Sequence, residues 1–327
     1  MLNIAIVGAT GLVGEKLTQI LSEKLPSANV RLFGNTSVGI KVPYRGKQTL
    51  IEDCDELLNG QLDYAMFMAT NEVSAKYIPK LTAKGVTCID NSSHFRLKRG
   101  VPLVVPCING DKIAGNKLIA NPNCSTIQVV IAINALKSLH PTKMTAVTYQ
   151  AVSGAGKTAL LDLNEQSCYG KLRNFRHPIY DNVIPYIGEL RSDGFTTEER
   201  KLTDESRKIL DLPQLKVNAF CARIPVTVGH SVFVNLHLKE KVNIEQIRNL
   251  LRSTPNVLLL DDAENGLYPM PMMMRNTKYV GVGRLTKDPT ANAINFFVVA
   301  DNLLRGAAYN AYEILEHCIQ PNSYLSN

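Results

Sequence analysis

The chain has 327 residues, 45% of them apolar and 20% charged, with 36 basic against 29 acidic side chains for a formal charge of +7. That composition belongs to an ordinary globular protein and excludes disordered, collagenous and coiled-coil architectures, and the length corresponds to about two domains. Seven cysteines, odd in number and without a C-x-x-C pair, exclude a disulfide framework and a zinc cluster, and the scattered Lys and Arg residues point to anionic small molecules rather than nucleic acid.

The first element in chain order is a short buried strand, Asn3 to Val7, which runs directly into Gly8-Ala9-Thr10-Gly11-Leu12-Val13-Gly14. A helix follows, because Val13, Leu17, Ile20 and Leu21 recur at spacings of three and four, and Pro26 ends it. Val30 to Phe33 is a second strand, so the chain opens with the β-α-β unit on which a nucleotide site is built. Tyr64 to Ala69 and Val86 to Asp90 are further buried strands separated by a helix over Val73 to Ala83, an alternation that predicts a parallel sheet. Beyond Asn121 the pattern changes to a helix at Ser125 to Leu139, a strand at Met144 to Gln150 and a charged helix at Thr196 to Leu210. In Ser231 to Leu238, Val232, Val234, Leu236 and Leu238 alternate with Ser231, Phe233, Asn235 and His237, which predicts a sheet with one buried face. Val280 to Arg284 and Ala293 to Ala300 are strands, and Asn302 to Ile319 returns to helix. No apolar run reaches the roughly 18 residues of a membrane span and no secretory signal opens the chain, so a reducing cytoplasm is expected.

Within the glycine turn, Gly8 permits the bend from strand into helix, Gly11 lets a pyrophosphate approach the backbone and Gly14 brings the helix against the sheet. The end of the second strand, Leu32 to Ser37, has no acid to hold a ribose diol, which disfavours NAD and leaves the 2′-phosphate of NADP to Thr36, Ser37 and Lys41. In Asn121-Pro122-Asn123-Cys124-Ser125-Thr126, Asn123 is a good helix cap and Cys124 falls in the first turn, where the helix dipole lowers a thiol pKa. Cys88, Cys107 and Cys221 read instead as small hydrophobes in or beside apolar strands. A nucleophilic thiol needs a base. Of the histidines His94, His140, His177, His230, His237 and His317, position favours His230, which follows Gly229 at a turn between two strand patterns, with Arg223 shortly before it.

Six segments, in order, resemble the aspartate-semialdehyde dehydrogenase family. They are the glycine turn, Asp90-Asn91-Ser92-Ser93-His94-Phe95-Arg96, Asn121 to Ile127, Tyr149-Gln150-Ala151-Val152-Ser153-Gly154-Ala155-Gly156, Cys221-Ala222-Arg223-Ile224-Pro225-Val226 with Gly229-His230-Ser231, and Val299-Ala300-Asp301-Asn302-Leu303. The resemblance implies an α/β fold: a Rossmann-like dinucleotide-binding domain (1–121), an α+β catalytic and dimerisation domain with an open mixed sheet (122–301), and a C-terminal helix (302–327) returning to the first domain. It also implies NADPH-dependent reduction of L-aspartyl 4-phosphate to L-aspartate 4-semialdehyde and phosphate through a cysteine thioacyl intermediate, toward lysine, threonine and methionine. By that resemblance Cys124 is the nucleophile, His230 the general acid/base and Gln150 the residue that orients the acyl group. Arg223 grips the α-carboxylate, Glu205 partners the α-ammonium, and Lys208, Arg96 and Asn123 meet the phosphate. Gly8, Thr10, Gly11, Leu12, Val13, Thr36, Ser37 and Gly154 hold NADP, no metal takes part, and two copies form a homodimer.

The implied roles suit the residue types: an Arg fork grips a carboxylate bidentately, and a thioester accepts hydride far better than a carboxylate does. Arg200 and Lys201, in the same charged run as Glu205, read as solvated surface. Two departures stand out. Asn35-Thr36-Ser37 replaces an arginine that the family uses for the 2′-phosphate, which predicts a reduced NADP preference, and Cys107 stands where the family has an acid, a change the sequence does not explain. The alternatives are another acyl-phosphate reductase, such as one for N-acetyl-glutamyl phosphate, whose substrate offers Glu205 no ammonium, and an inactive scaffold protein. The joint presence of Cys124, Gln150, Arg223 and His230 argues against the scaffold.

Overall fold

The computed structural model describes residues 1–165 and 172–320. Cys168 and the end of the expected C-terminal segment lie outside them. The chain divides into two compact units, Met1–Pro122 together with the stretch from Ala307, and Asn123–Gly306.

The first unit contains β1 (Asn3–Val7), α1 (Leu12–Lys24), β2 (Asn29–Gly34), a hairpin of β3 (Lys41–Tyr44) and β4 (Lys47–Leu50), β5 (Glu52–Asp53), β6 (Tyr64–Phe67), α2 (Asn71–Ala83), β7 (Thr87–Asp90), the single turn α3 (Pro106–Asn109) and β8 (Leu118–Ala120). Its main sheet has the order β5-β2-β1-β6-β7-β8, and every pairing is parallel. Ile4, Ala5, Ile6 and Val7 have no exposed surface, as a strand covered on both faces of a parallel sheet requires. The strand order reverses at β1, whose carboxyl end delivers the chain to Gly8. In a doubly wound sheet that switch point is where ligands bind.

The second unit contains α4 (Cys124–Asn134), β9 (Pro141–Gln150), α5 (Lys157–Glu165), α6 (Thr197–Leu210), β10 (Lys216–Arg223), β11 (His230–Leu238), α7 (Ile244–Ser253), β12 (Val257–Leu259), the short α8 (Pro271–Met274), β13 (Val280–Lys287) and β14 (Ala293–Ala300). Its sheet is mixed, with the order β10-β9-β11-β14-β13-β12. The outer pairs β10–β9 and β12–β13 are parallel and the inner pairs antiparallel. Val232, Val234 and Leu236 are fully buried while Phe233, Asn235 and His237 between them are half-buried, the period of two expected from the sequence. The expected helix Ser125 to Leu139 stops at Asn134, and a separate 3₁₀ turn covers Lys137–Leu139 before His140 takes a left-handed φ of 54°. The expected terminal helix opens as a π-helical turn, Leu304–Ala308, and becomes α9 at Tyr309–Ile319. No helix among the described residues is long and apolar enough to cross a membrane.

Candidate active site

Strand register brings three polar side chains to one end of the second sheet. Gln150 and Arg223 are the last residues of β9 and β10 and pair side by side in the parallel ladder. β11 runs antiparallel to β9 with Ser231 opposite Tyr149, so its first residue, His230, reaches the same end. His230 therefore opens a strand, where the sequence suggests a turn; the turn itself belongs to Gly229, with a φ of 106°. All three side chains are buried.

Cys124 is the first residue of α4, partly exposed, with Asn123 as its N-cap. Asn123 Oδ1 accepts the Ser125 N–H at 3.0 Å and the Ser125 hydroxyl at 2.6 Å. The Asn123 N–H donates to Glu205 Oε2 at 2.7 Å and its Nδ2 to Glu198 Oε1 at 3.0 Å. Gln150 Nε2 donates to the same Glu198 oxygen at 3.1 Å, and Lys201 Nζ lies 3.3 Å from the other. Arg223 Nη1 donates to the Ala151 carbonyl at 2.8 Å and reaches Gln150 Oε1 at 3.5 Å. The expected cofactor residue Gly154 sits against this cluster: a Cβ there would come within 2.8 Å of Arg223 Nη1 and 3.0 Å of the His230 ring. Gly306 does the same for Cys124, since a Cβ on it would lie 3.1 Å from that of the cysteine.

The electrostatics follow from burial. The His230 pKa is pushed down to about 3, chiefly by desolvation and then by the Arg223 charge, against a smaller pull from Glu198. Its Nδ1 accepts the Ala151 N–H at 2.9 Å, so the proton of the neutral ring resides on Nε2, a buried atom with no partner. Burial also lowers the Arg223 pKa, opposed by Glu198 and by Cys124; a guanidinium nonetheless stays charged, and its Nε has no partner. For Glu198 burial favours the neutral acid, but Lys201, Gln150, Asn123 and Arg223 outweigh it and hold the carboxyl below its ordinary range. Four cysteines elsewhere are held as thiols. Burial raises Cys88 and Cys221 to about 12 and Cys54 and Cys318 to about 11.

In the first unit the glycine turn has the form that a dinucleotide needs. Gly8 has a φ of 83°, and a Cβ on it would lie 2.3 Å from the Met68 carbonyl oxygen; one on Gly14 would lie 2.1 Å from Gly8 O. α1 starts at Leu12 after Gly11 with no side-chain cap, which leaves the backbone at Leu12 and Val13 open to an anion. Thr10 Oγ1 donates to Ser37 Oγ at 3.0 Å, so the turn and the end of β2 meet through hydroxyls. Thr36 and Lys41 are exposed beside them. These residues fit a dinucleotide with a phosphorylated ribose, which needs donors rather than a carboxylate at that place.

The remaining expected residues are distributed as follows. Glu205 is buried and Lys208 half-buried on the following turn of α6, while Arg96 is buried in the first unit with Nη2 donating to the Asn91 carbonyl at 2.8 Å. Three expectations need correction. Cys107 is exposed in α3 rather than buried. Lys201 and Arg200 are part-exposed rather than fully solvated: Lys201 pairs with Glu198, and Arg200 pairs with Asp193 at 2.9 Å and covers the Phe195 ring. Glu198 has no place in the sequence reading. Its signal is faint, an acid in the first turn of a predicted helix, where the dipole favours negative charge.

Comparison with known proteins places the cluster in context. Residues 3–116 match the family model "Semialdehyde dehydrogenase, NAD binding domain" and residues 134–305 match "Semialdehyde dehydrogenase, dimerisation domain". The chain is similar to the aspartate-semialdehyde dehydrogenase of Aquifex aeolicus, 39% identical with 96% of this chain and 97% of the relative covered. It is 36% identical to that of Bacillus subtilis, with 96% of each covered. Among solved structures, aspartate semialdehyde dehydrogenase II of Vibrio cholerae in complex with ASA superposes with a TM-score of 0.94 at 34% identity, covering 98% of this chain and 99% of that one.

Proposed function

The chain belongs to the aspartate-semialdehyde dehydrogenase family, and on that premise we propose that Cys124, Gln150, Arg223 and His230 form its catalytic centre. The reaction is reduction of L-aspartyl 4-phosphate by NADPH to L-aspartate 4-semialdehyde and phosphate, in the biosynthesis of lysine, threonine and methionine. The observation that carries this reading is the convergence of Gln150, Arg223 and His230 at one sheet end, with Cys124 opening a helix whose cap is tied to the same cluster through Glu198.

The Cys124 sulfur, favoured as thiolate at the start of α4, attacks the acyl carbon, and phosphate departs with the electron pair of the broken C–O bond. His230 stands neutral with Nε2–H as a donor, so it stabilises the oxyanion by hydrogen bonding while keeping that proton, whose loss would leave an imidazolate; as a general acid it acts only after taking up a second proton. Gln150 orients the acyl oxygen. The Arg223 fork takes the α-carboxylate and Glu205 the α-ammonium, and Lys208, Arg96 and Asn123 are assigned to phosphate by the family resemblance. The dinucleotide, when bound at Gly8, Thr10, Gly11, Leu12, Val13, Thr36 and Ser37, supplies the hydride that reduces the thioacyl carbon. Gly154 gives clearance to Arg223 and His230 in this scheme, beyond its expected part in cofactor binding.

Residues 1–121 serve as the dinucleotide-binding domain, 122–301 as the catalytic and dimerising domain of a homodimer, and 302–327 as the returning C-terminal segment, in a cytoplasmic enzyme. The test is phosphate-dependent reduction of NADP by aspartate semialdehyde. Wild type is expected to turn over with a higher kcat/KM for NADP than for NAD, and Cys124→Ser to lose turnover by orders of magnitude while keeping its fold. Absence of phosphate dependence in the wild type refutes the reaction, and equal or better use of NAD refutes the cofactor assignment.

A further inference from the structure

The parallel sheet of the first unit has a second end that the mechanism above does not use. The glycine turn leaves the carboxyl end of β1. Tyr64 and Thr87 open β6 and β7 and Lys117 directly precedes β8, so all three stand at the opposite, amino end of the sheet. A cavity of about 690 Å³ opens there, and its lining lies wholly within this unit. The facing wall is the 3₁₀ turn Gly110–Ile113 and the last turn of α9. The lining is tied together: Tyr64 Oη donates to the Cys318 carbonyl at 3.2 Å, and the His317 ring lies against Gly110, where a Cβ would come within 2.9 Å of its Nε2.

Two opposite charges line this cavity without meeting. Asp111 and Lys117 are exposed and too far apart to pair with each other, and neither has an ion-pair partner among the described residues. Lys117 Nζ donates instead to the Thr87 hydroxyl at 3.5 Å. Pro106 and Ile113 present buried apolar side chains to the same space. A lone anion drawn to Lys117 enters the field of Asp111, and a lone cation drawn to Asp111 enters that of Lys117, so each meets a repulsion as well as an attraction. A molecule carrying both charges meets neither repulsion. We propose that this cavity binds a small zwitterion, an α-amino acid with an apolar side chain, with its carboxylate on Lys117, its ammonium on Asp111 and its side chain on Pro106 and Ile113. An apolar cleft with a few placed polar groups is the ordinary form of a small-molecule site. Because both charges are exposed, they supply selectivity more than strength.

The test is calorimetric titration of the full chain with L-leucine as the probe, beside two analogues that each lack one charge, isocaproate without the ammonium and isoamylamine without the carboxylate. Leucine is expected to bind, and each analogue to bind at least about threefold more weakly, the discrimination that a part-exposed ion pair supplies. Lys117→Met should weaken leucine by a similar factor without weakening isoamylamine. Asp111→Asn should weaken leucine without weakening isocaproate. Ala114→Trp, which fills the cavity from its exposed rim, should remove leucine binding. All three positions are exposed and stand apart from the catalytic centre, so the variants should keep the wild-type thermal midpoint. No leucine binding up to about 10 mM, analogues that bind as well as leucine, or leucine binding untouched by all three substitutions would each overturn the proposal.

Discussion

Arg223 carries a charge at a buried strand end, anchored by the Ala151 carbonyl at 2.8 Å, with its Nε unpartnered. A guanidinium has five donors in a fixed fork, so a carboxylate arriving there meets hydrogen-bonding capacity already in place. Arg223→Lys keeps the charge and loses the fork, and kcat/KM for aspartate semialdehyde is expected to fall at least about tenfold. Wild-type kinetics would put Arg223 outside the substrate site. His230 makes a prediction about stability. Its pKa in the folded protein is about 3 against 6.5 for an ordinary histidine. Between those values the unfolded chain binds a proton that the folded site refuses, so this group's contribution is intact above pH 6.5 and lost as pH falls toward 3. His230→Gln should therefore flatten the fall in urea stability between about pH 6.5 and 4.5 by up to one proton's slope, about 1.4 kcal/mol per pH unit. An unaltered slope would mean that His230 titrates normally. Cys124, Gln150, Arg223 and His230 are legible in the sequence because each has a distinctive local setting or motif. Glu198 is not, because Glu198-Glu199-Arg200-Lys201 looks like any solvated helix start. Its burial depends on Asn123 and Gln150, which are distant along the chain.

α6 shows how an element delivers such residues. Thr196 and Glu199 close a capping box: the Thr196 side chain accepts the Glu199 N–H at 3.4 Å and Glu199 Oε2 accepts the Thr196 N–H at 2.6 Å. Glu199 Oε1 also accepts the Cys221 N–H of β10 at 3.1 Å, so the cap fastens the helix to the strand that ends at Arg223. Thr196→Ala should cost about 1 kcal/mol in urea unfolding and lower kcat/KM as well, because Glu198, Glu205 and Lys208 all ride on this helix. A stability loss with unchanged kinetics would show that α6 holds them without the cap. Elements with strong periodicity, β1, α1, α2, α6 and β11, are legible in the sequence. The β3–β4 hairpin is not: its turn is Arg45-Gly46, with φ values of 48° and 72°, and arginine masks a conformation usually signalled by Asn or Asp before Gly. α7 is overlooked although Asn243 caps it and Ile247 and Leu251 recur at helical spacing. The end of α4 is overestimated for a different reason. Buried residues run without a break from Ser125 to Ile133, so no polar face marks where the periodicity stops.

The second unit's sheet carries information about the assembled molecule. Its buried side chains, among them Ala146, Thr148, Val232 and Val234, lie on one face, and the register aligns the others into a row on the opposite face. Phe220 of β10 pairs with Val147 of β9, Val147 with Phe233 of β11, and Phe233 with Phe297 of β14. Phe220 is 50% exposed, and the neighbouring Tyr149, 38% exposed, has its ring 6.1 Å from that of Phe297. A contiguous apolar row across four strands, aromatic on β10, β11 and β14 and valine on β9, is costly to leave in water and suits an interface between identical copies. In a twofold dimer each substitution enters the interface twice. Phe220→Lys and Phe233→Lys should therefore each cost roughly 2 kcal/mol per copy, about 4 kcal/mol per dimer, and raise the dimer dissociation constant on the order of a thousandfold. Phe220→Lys is the cleaner variant, because a side chain half in water contributes less to the protomer's own core than Phe233 does. Light scattering across a dilution series should show monomer for the variants at concentrations where the wild type is a dimer. A variant that keeps the dimer mass through the same series would move the interface to another face of the unit.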